Sequence, residues 1–302
     1  MTWLIQSAVL LTTPPFFLGV IAKTKASFAG RKGPPLLQNY YDLIKLFRKG
    51  TVHSPASSFV LRLAPAVIVS TLLTAGLFFP LLGRAPIFFE GDVILFAYLL
   101  ALGRFAMILA ALDVGSGFQG MGASREAAFG AFSELAFFLG LVVLVVISGS
   151  ASLTGIFQWK WIHPAWRPVF LLLFAAFFFI LLAENSRMPV DDPSTHLELT
   201  MIHEGMILDY GGIDLGLILY GSAIKLFLLM AFAISLLWPQ PLAWHWHSAA
   251  LLGLKWTGMA VAIGAVESVT ARLRLIKVPQ LLIANFVVTL FALLVALFGR
   301  RV

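Results

Sequence analysis

The chain has 302 residues, of which 60% are hydrophobic and only 12% are charged, and its formal net charge is +7. Soluble domains carry about 25% charged residues, so this composition excludes an ordinary soluble fold and favours an outer surface that faces lipid. The basic residues lie mostly between apolar segments, which is typical of membrane proteins, and nucleic-acid binding is therefore not expected. Cysteine is absent, which excludes disulfides and iron–sulfur ligation by this chain.

Eight apolar stretches predict an all-α integral membrane protein of about eight transmembrane helices, with a single membrane domain over residues 1–302. Each stretch is close to the roughly 20 residues that a helix needs to cross the hydrocarbon. Pro14 and Pro15 predict a kink in the first stretch. The predicted spans are Trp3–Ala22, Phe59–Leu82, Asp92–Leu112, Phe129–Ser148, Arg167–Ala183, Leu215–Leu237, Ala249–Ala271 and Pro279–Phe298.

The segment Gly33–Gly50, between the first two spans, is only partly apolar. Its apolar residues recur at helical spacing opposite a row of charged ones, which predicts an amphipathic helix lying along the membrane surface. The apolar side consists of Leu36, Leu37, Tyr40, Leu43, Ile44 and Phe47, and the charged side of Asp42, Lys45, Arg48 and Lys49.

Most lysines and arginines lie in the first, third, fifth and seventh connections, whereas the even connections carry only Arg84, Lys160 and Arg167. The positive-inside rule therefore predicts that the odd connections face the cytoplasm, with both termini outside and the chain in the cytoplasmic (inner) membrane. Most acidic residues share the predicted cytoplasmic side, which favours a polar surface that docks soluble subunits. They are Asp42, Asp113, Glu126, Glu184, Asp191, Asp192, Glu198, Glu204 and Asp209.

Five ionisable residues fall well inside predicted spans: Arg104, Glu134, Lys225, Lys255 and Glu267. A charge at the centre of a membrane helix costs roughly 2.5–3.5 kcal/mol on insertion scales, so these side chains are expected to face the bundle interior. Internal ion pairs that fix helix packing are one interpretation, and a proton relay is the other. We favour the relay for Glu134 and Glu267, because desolvated carboxylates beside lysines can titrate near neutral pH.

The densest polar stretch is Ala183–Gly212, AENSRMPVDDPSTHLELTMIHEGMILDYGG. Asp192 followed by Pro193 has the pattern of a helix N-cap and first helical position, so a helix is predicted from Pro193 to about Asp209. The residues that would share one face of this helix are His196, Thr200 and His203.

A metal site formed by His196, Glu198, His203 and Glu204 is disfavoured. The two histidines are separated by about two helical turns, roughly 10 Å along a helix, which is too far for one ion without a bend. The remaining histidines fall in loops or at the edges of spans, which disfavours a haem held between two helices. No cofactor is therefore expected in this chain.

Three segments resemble the membrane anchor subunit of respiratory complex I, its subunit 1. They resemble more closely its relative in membrane-bound nickel–iron hydrogenases, formate hydrogenlyase subunit 4. The first segment, GRKGPPLLQNYYDLIKLFRKG at Gly30–Gly50, is similar to the family's arginine, glycine-proline, leucine-glutamine and aspartate-x2-lysine-leucine pattern. The second, GSGFQGMGASREAAFGAFSE at Gly115–Glu134, has the family's small-residue loop, arginine and later glutamate. The third is Ala183–Gly212, whose THLELT and HE elements resemble the hydrogenase branch.

The resemblance implies a non-catalytic subunit that anchors a hydrogenase module and couples its electron transfer to proton or sodium translocation. The implied partners are the hydrogenase large and small subunits, an iron–sulfur subunit and antiporter-like membrane subunits. The nickel–iron site and the iron–sulfur clusters would lie in those partners.

Two groups of residues follow from the resemblance and from the charge pattern. The acidic residues that match the family's path from the redox interface into the membrane are Glu134, Glu184, Asp191, Glu198 and Asp209. The charges inside predicted spans add Lys225, Lys255 and Glu267 to this group of relay or coupling residues. The residues expected at the interface with the redox module are Arg31, Lys32, Gln38, Asp42, Lys45, Arg125, Arg187, His196, His203 and Glu204.

The alternative function is the quinone-chamber subunit of a complex I-type NADH:quinone oxidoreductase. Complex I usually has Asn after the glycine-proline pair, where this chain has Pro35. Extra residues also lie between Glu198 and Asp209, including His203 and Glu204. A free-standing secondary transporter is less favoured, because the polar and Pro-rich residues crowd the predicted cytoplasmic ends instead of the membrane midplane.

Overall fold

The computed structural model describes residues 2–55, 57–158, 166–191, 202–238 and 246–299, and within them every regular element is helical. The α-helices are α1 (Thr2–Thr12), α2 (Pro14–Phe28), α3 (Gln38–Phe47), α4 (Phe59–Phe78), α5 (Asp92–Asp113), α6 (Gly117–Ser148), α7 (Leu153–Gln158), α8 (Arg167–Glu184), α9 (His203–Met206), α10 (Gly212–Leu237), α11 (Trp246–Val269) and α12 (Val278–Gly299).

Seven of these helices, α4, α5, α6, α8, α10, α11 and α12, are each long and apolar enough to cross a membrane. The pair α1 and α2 makes an eighth span, bent by 45°. The structure therefore confirms the prediction of an all-α, multi-pass membrane protein. The predicted surface helix is α3, and it is shorter than Gly33–Gly50 because Pro34 and Pro35 disfavour helical backbone at the residues that precede them.

The break between α1 and α2 lies at the predicted kink. The two prolines that begin α2 have no N–H, so carbonyl oxygens in the last turn of α1 lose their helical donors. Two tyrosines supply hydrogen bonds instead. The Tyr220 hydroxyl donates to the Leu11 carbonyl oxygen over 2.7 Å, and the Tyr40 hydroxyl donates to that of Thr12. These bonds tie α10 and α3 to the break.

The central helix of the bundle is α10. In the most apolar 18-residue stretch of each helix, 72% of the residues are buried in α10, compared with 33% in α11 and 28% in α12. Helix α10 packs against α2, α3, α4, α8 and α11. Phe232 of α10 packs against the rings of Phe79, Phe96, Phe137 and Phe177. Because α10 is enclosed in this way, a charged side chain on it needs a partner within the protein.

The shortest of the single-helix spans is α8. Its 18 residues rise ~27 Å, compared with ~39 Å for the 26 residues of α10. We term one end of the bundle the charged end. Helices α2, α5 and α8 finish at this end, and α6 and α10 begin there. Because α8 is short, the chain turns after Glu184 while still inside the bundle, and residues 185–191 are all buried or half-buried.

Helix α6 is longer than predicted by about three turns. The predicted span Phe129–Ser148 is the second part of α6, whose 32 residues rise ~48 Å, well beyond the ~30 Å of the hydrocarbon. The polar first turns of α6, which carry Arg125 and Glu126, therefore extend toward the charged end. The short helix α7, which follows α6, was not predicted.

Among the described residues, the helix predicted from Pro193 to about Asp209 is present only over the four residues of α9. Residues 192–201 lie outside the described residues, and after them only α9 is helical before the chain turns toward α10. The reason is close packing on α6. A Cβ at Gly122 of α6 would meet the Ile202 carbonyl oxygen at 2.8 Å and Met206 Cγ at 3.1 Å, so the chain follows the surface of α6.

Candidate functional site

A buried arginine lies at the junction of α5, α6 and α8. Arg104 of α5 exposes only 7% of its side chain. Its Nη2 lies 2.6 Å from each carboxylate oxygen of Glu184, its Nη1 lies 3.4 Å from Glu134 Oε1, and its Nε lies 3.9 Å from Glu126 Oε1. One guanidinium therefore faces three carboxylates, and the bond to Glu184 is the strongest of the three contacts.

Glu184, the last residue of α8, also binds a lysine from the central helix. Lys225 Nζ lies 2.8 Å from Glu184 Oε2 and donates to the Glu184 backbone carbonyl oxygen over 2.7 Å. The Ser133 hydroxyl of α6 donates to the same carboxylate. The lysine thus satisfies both the side chain and one of the free carbonyl oxygens that every helix leaves at its C-terminus.

A second pair of cations surrounds Glu267 of α11. This carboxylate is 1% exposed and lies 2.9 Å from Lys25 Nζ of α2 and 3.0 Å from Arg187 Nη1. Arg187 follows Glu184 by three residues in the buried turn after α8. The turn therefore links the Glu267 cluster to the Arg104 cluster.

The same turn ends at a third cluster, formed by Asp191 and Arg272. Asp191 is 3% exposed, and Arg272 Nη2 donates to its Oδ1 over 2.7 Å, while the Ile202 backbone N–H donates to Oδ2 over 3.2 Å. The three clusters together are termed the ion-pair chain. Its members are Lys25, Arg104, Glu126, Glu134, Glu184, Arg187, Asp191, Lys225, Glu267 and Arg272.

Two cavities connect the ion-pair chain with the surface helix. The inner cavity, of about 90 Å³, is lined by Arg104, Glu126, Glu184 and Lys225 among others. The outer cavity, of about 240 Å³, lies between α2, α3 and α10, and its polar lining includes Asn39, Asp42, Arg187, Asp191 and Glu204. Both cavities share Asn185, Ser186, His203 and Ser222, so they adjoin.

His203 lies where the two cavities meet. Burial lowers the pKa of its imidazole from 6.5 to about 4, and the nearby positive charge of Lys225 acts in the same direction. The imidazole is therefore neutral at physiological pH, and it can both donate and accept a hydrogen bond at this junction.

The structure brings some of the predicted relay residues together and separates others. Glu184, Asp191, Lys225 and Glu267 belong to the ion-pair chain, as does Glu134, whose side chain remains 35% exposed.

Lys255 lies apart from them. Its Nζ is 5.7 Å from the centre of the Trp238 ring, and Trp238 is ~20 Å from Lys225 along α10. Asp209 is exposed and lines a shallow surface pocket with His53 and Tyr210. Glu198, like His196, lies outside the described residues.

Five of the ten predicted interface residues lie on the surface of the charged end. Arg31 and Lys32 are exposed before α3, and Gln38, Asp42 and Lys45 share the exposed polar side of α3, where Gln38 donates to Asp42 over 2.9 Å.

The other predicted interface residues lie deeper. Arg125 is half-buried in α6, and His203 and Glu204 line the outer cavity. Arg187 is not a surface residue but part of the buried Glu267 cluster, with 15% of its side chain exposed. Among the described residues, no group of three His, Asp or Glu side chains could hold a metal ion.

Four members of the ion-pair chain had no predicted role. Arg104 was recognised as a costly charge inside a span but was not assigned to the relay. Lys25 and Arg272 look like ordinary positive-inside charges in the sequence, and Glu126 precedes the predicted start of its span. Only the spacing of Glu126 and Glu134, two helical turns apart and so on one face of α6, could have linked any of these residues to the site.

The fold of this bundle is shared with a chain of a known membrane complex. The profile of the NADH dehydrogenase family matches residues 1–298, and the chain belongs to this family. A chain in the solved membrane-bound sulfane sulfur reductase, an archaeal respiratory membrane complex, has the same fold, with a TM-score of 0.84. Sequence identity to that chain is 19%, and the match covers 98% of this chain and 100% of the other.

Two relatives from Escherichia coli K12 are more similar in sequence. Formate hydrogenlyase subunit 4 is 32% identical over 292 residues, which is 94% of both chains. Hydrogenase-4 component C is 34% identical over 82% of this chain and 78% of its own length. A subunit of the NADH-quinone oxidoreductase of Koribacter versatilis is 28% identical over 68% of this chain and 51% of its own. These comparisons confirm the resemblance found in the three segments.

Proposed function

We propose that this chain is the membrane subunit of a formate hydrogenlyase-like, energy-converting hydrogenase. It anchors the nickel–iron hydrogenase module and couples electron transfer there to the translocation of protons or sodium ions. The ion-pair chain is the observation that carries this proposal. The similarity to formate hydrogenlyase subunit 4, over 94% of both chains, supports the choice of complex.

The ion-pair chain is costly for a protein that needs only a stable bundle. Desolvating buried charges costs several kcal/mol per ion, and well-packed apolar side chains often stabilise a fold equally well. Here the charges come from α2, α5, α6, α8, α10 and α11, so they connect most of the bundle. A change of charge at one end of such a network alters the preferred partner of the next group, which is what coupling requires.

The charged end is the docking surface in this proposal, and it faces the cytoplasm. The exposed polar side of α3 lies beside the outer cavity, which is also lined by residues of the turn after α8. A redox module that covers this surface would contact a continuous polar path to Arg104. The hydrogenase large and small subunits and an iron–sulfur subunit would sit there and carry the cofactors, and antiporter-like membrane subunits would contact the lipid-facing helices.

The cavities support a second candidate function. The two cavities adjoin, and their linings combine apolar side chains with a few polar groups, as the linings of small-molecule sites do, which would suit the quinone chamber of a complex I-type enzyme. The intact complex distinguishes the two functions when it is purified in mild detergent through a tag on this chain. The hydrogenase proposal predicts stoichiometric nickel and no bound quinone, whereas the second candidate predicts quinone without nickel.

Coupling is tested with Glu267→Gln, which keeps size and hydrogen bonding but removes the charge. Hydrogen turnover with an artificial electron donor should be normal, because that chemistry lies in another subunit, while ion translocation in sealed vesicles should fall. The matched control is Glu90→Gln, since Glu90 is exposed at the opposite end and, among the described residues, accepts hydrogen bonds from Ser150 and Ala151. Normal translocation in Glu267→Gln would contradict a coupling role for this cluster.

A further inference from the structure

Gly130 of α6 lies directly against the buried arginine. A Cβ at this residue would lie well inside van der Waals contact with Arg104 Nη1, and would be 3.1 Å from Cδ and 3.2 Å from Cζ. The space that any other side chain would fill is occupied by the guanidinium itself.

The atom that Gly130 faces is the one that reaches Glu134. Nη1 is 3.4 Å from Glu134 Oε1, while Nη2 binds Glu184. The Ser133 hydroxyl, which contacts Glu184, also lies 3.1 Å from the Gly130 carbonyl oxygen. The backbone at Gly130 is therefore part of the wall that holds the guanidinium between its two carboxylates.

We propose that Gly130 is a positioning residue that allows Arg104 to bridge Glu184 and Glu134. The bridge continues the ion-pair chain from the turn after α8 to the middle of α6. This inference rests on the proposed coupling function and identifies the residue that sets its geometry. A methyl group at Gly130 displaces the guanidinium from Glu134, because the tip of a side chain moves more readily than the backbone of two packed helices.

A general loss of helix stability would not explain such an effect. Alanine is a better helix former than glycine, so Gly130→Ala favours α6 itself. The same helix offers a matched control in Gly120, where a Cβ would meet nothing within 4 Å. Gly120→Ala makes the same chemical change in α6 without touching the arginine.

The experiment measures the ions translocated per hydrogen molecule turned over, in sealed vesicles that contain the intact complex. For Gly130→Ala we expect this ratio to fall about tenfold, which corresponds to about 1.4 kcal/mol of lost ion-pair contact between Arg104 and Glu134. Hydrogen turnover with an artificial donor should stay normal. Gly120→Ala should match the wild type in both measurements.

Lysine at Arg104 provides a second test, because it has no Nη1 to collide with a new methyl group. The proposal predicts that Gly130→Ala changes the ratio by less than about twofold in an Arg104→Lys background, which is the non-additivity expected of residues in contact. If Gly130→Ala fails to assemble, Arg104→Lys should restore assembly, and failure to do so would overturn the proposal.

The remaining outcomes separate this inference from the function on which it rests. A normal ratio in Gly130→Ala, together with a reduced ratio in Glu134→Gln, would overturn the role of Gly130 and leave the coupling function intact. A normal ratio in both variants would overturn both.

Discussion

Replacing Arg187 with methionine should destabilise the protein more than replacing Lys25 with methionine. Both cations pair with Glu267, which exposes 1% of its side chain. The Arg187 side chain is 15% exposed and that of Lys25 is 34% exposed, so solvent screens the lysine pair more strongly. Methionine keeps much of the apolar length of either side chain, and the difference between the two variants therefore reports on charge.

The expected magnitudes follow from this difference in burial. Removing one partner of a buried ion pair costs about 3–5 kcal/mol, whereas exposed pairs contribute about 0.2–1 kcal/mol. We expect Arg187→Met to lower the free energy of unfolding by about 3 kcal/mol, and Lys25→Met to lower it by about 1 kcal/mol. Removing the buried charge with Glu267→Gln should reduce both effects, since neither cation then leaves a carboxylate unpaired.

The assay is reversible unfolding of the purified chain in mixed micelles with an increasing fraction of sodium dodecyl sulfate, followed by tryptophan fluorescence. Lys49→Met is the matched control, because Lys49 is exposed just after α3, and it should change the free energy of unfolding by less than about 0.5 kcal/mol. Equal losses for Arg187→Met and Lys25→Met, or a larger loss for Lys25→Met, would refute the reasoning.

Three further predictions concern other parts of the bundle. The pKa of His203 is lowered from 6.5 to about 4, so the unfolded chain binds a proton that the folded chain excludes, and the free energy of unfolding should fall as the pH drops from 6.5 toward 4. His203→Gln should remove that part of the pH dependence in the same micelle assay. A variant whose free energy of unfolding depends on pH as the wild type's does would contradict this prediction. Tyr220→Phe should lower the free energy of unfolding by about 1 kcal/mol, because a carbonyl oxygen at the break in the first span loses its hydrogen-bond donor. A decrease of less than about 0.3 kcal/mol would show that the bond is dispensable. Lys255→Met should leave the ratio of ions to hydrogen unchanged in vesicles, since its ammonium group lies by Trp238 and not in the ion-pair chain, and a clear fall in the ratio would restore the predicted relay role.

The spans were predictable because lipid imposes a simple rule on sequence. A helix that crosses the hydrocarbon must be apolar over about 20 residues, and α5, α10 and α12 meet that rule with clear boundaries. The first bend was also predictable, since consecutive prolines remove donors wherever they stand. The polar first turns of α6 were not predictable, because a helix that extends beyond the hydrocarbon no longer needs to be apolar.

The site was predicted as a set of costly residues but not as a network. Intramembrane charges such as Glu134, Lys225 and Glu267 were identifiable because each needs a partner. The partners of these charges were not identifiable from the sequence, since the contacts join residues that are far apart along the chain, as Lys25 and Glu267 are. Lys25 looks like an ordinary loop charge in the sequence. Arg187 was predicted at the interface, and its burial follows from the shortness of α8, which draws the following turn into the bundle.

The most direct test of the coupling function uses Glu134, where the ion-pair chain ends within α6. Within the described part of the chain its carboxylate has one ion-pair contact, 3.4 Å from Arg104 Nη1, and its side chain is 35% exposed, so Glu134→Gln should disturb the fold little. The measurement is the number of ions translocated into sealed vesicles per hydrogen molecule turned over by the intact complex. Our account predicts normal hydrogen turnover with an artificial donor and a ratio reduced about tenfold or more. A wild-type ratio at wild-type turnover would contradict it and leave the ion-pair chain as a packing device.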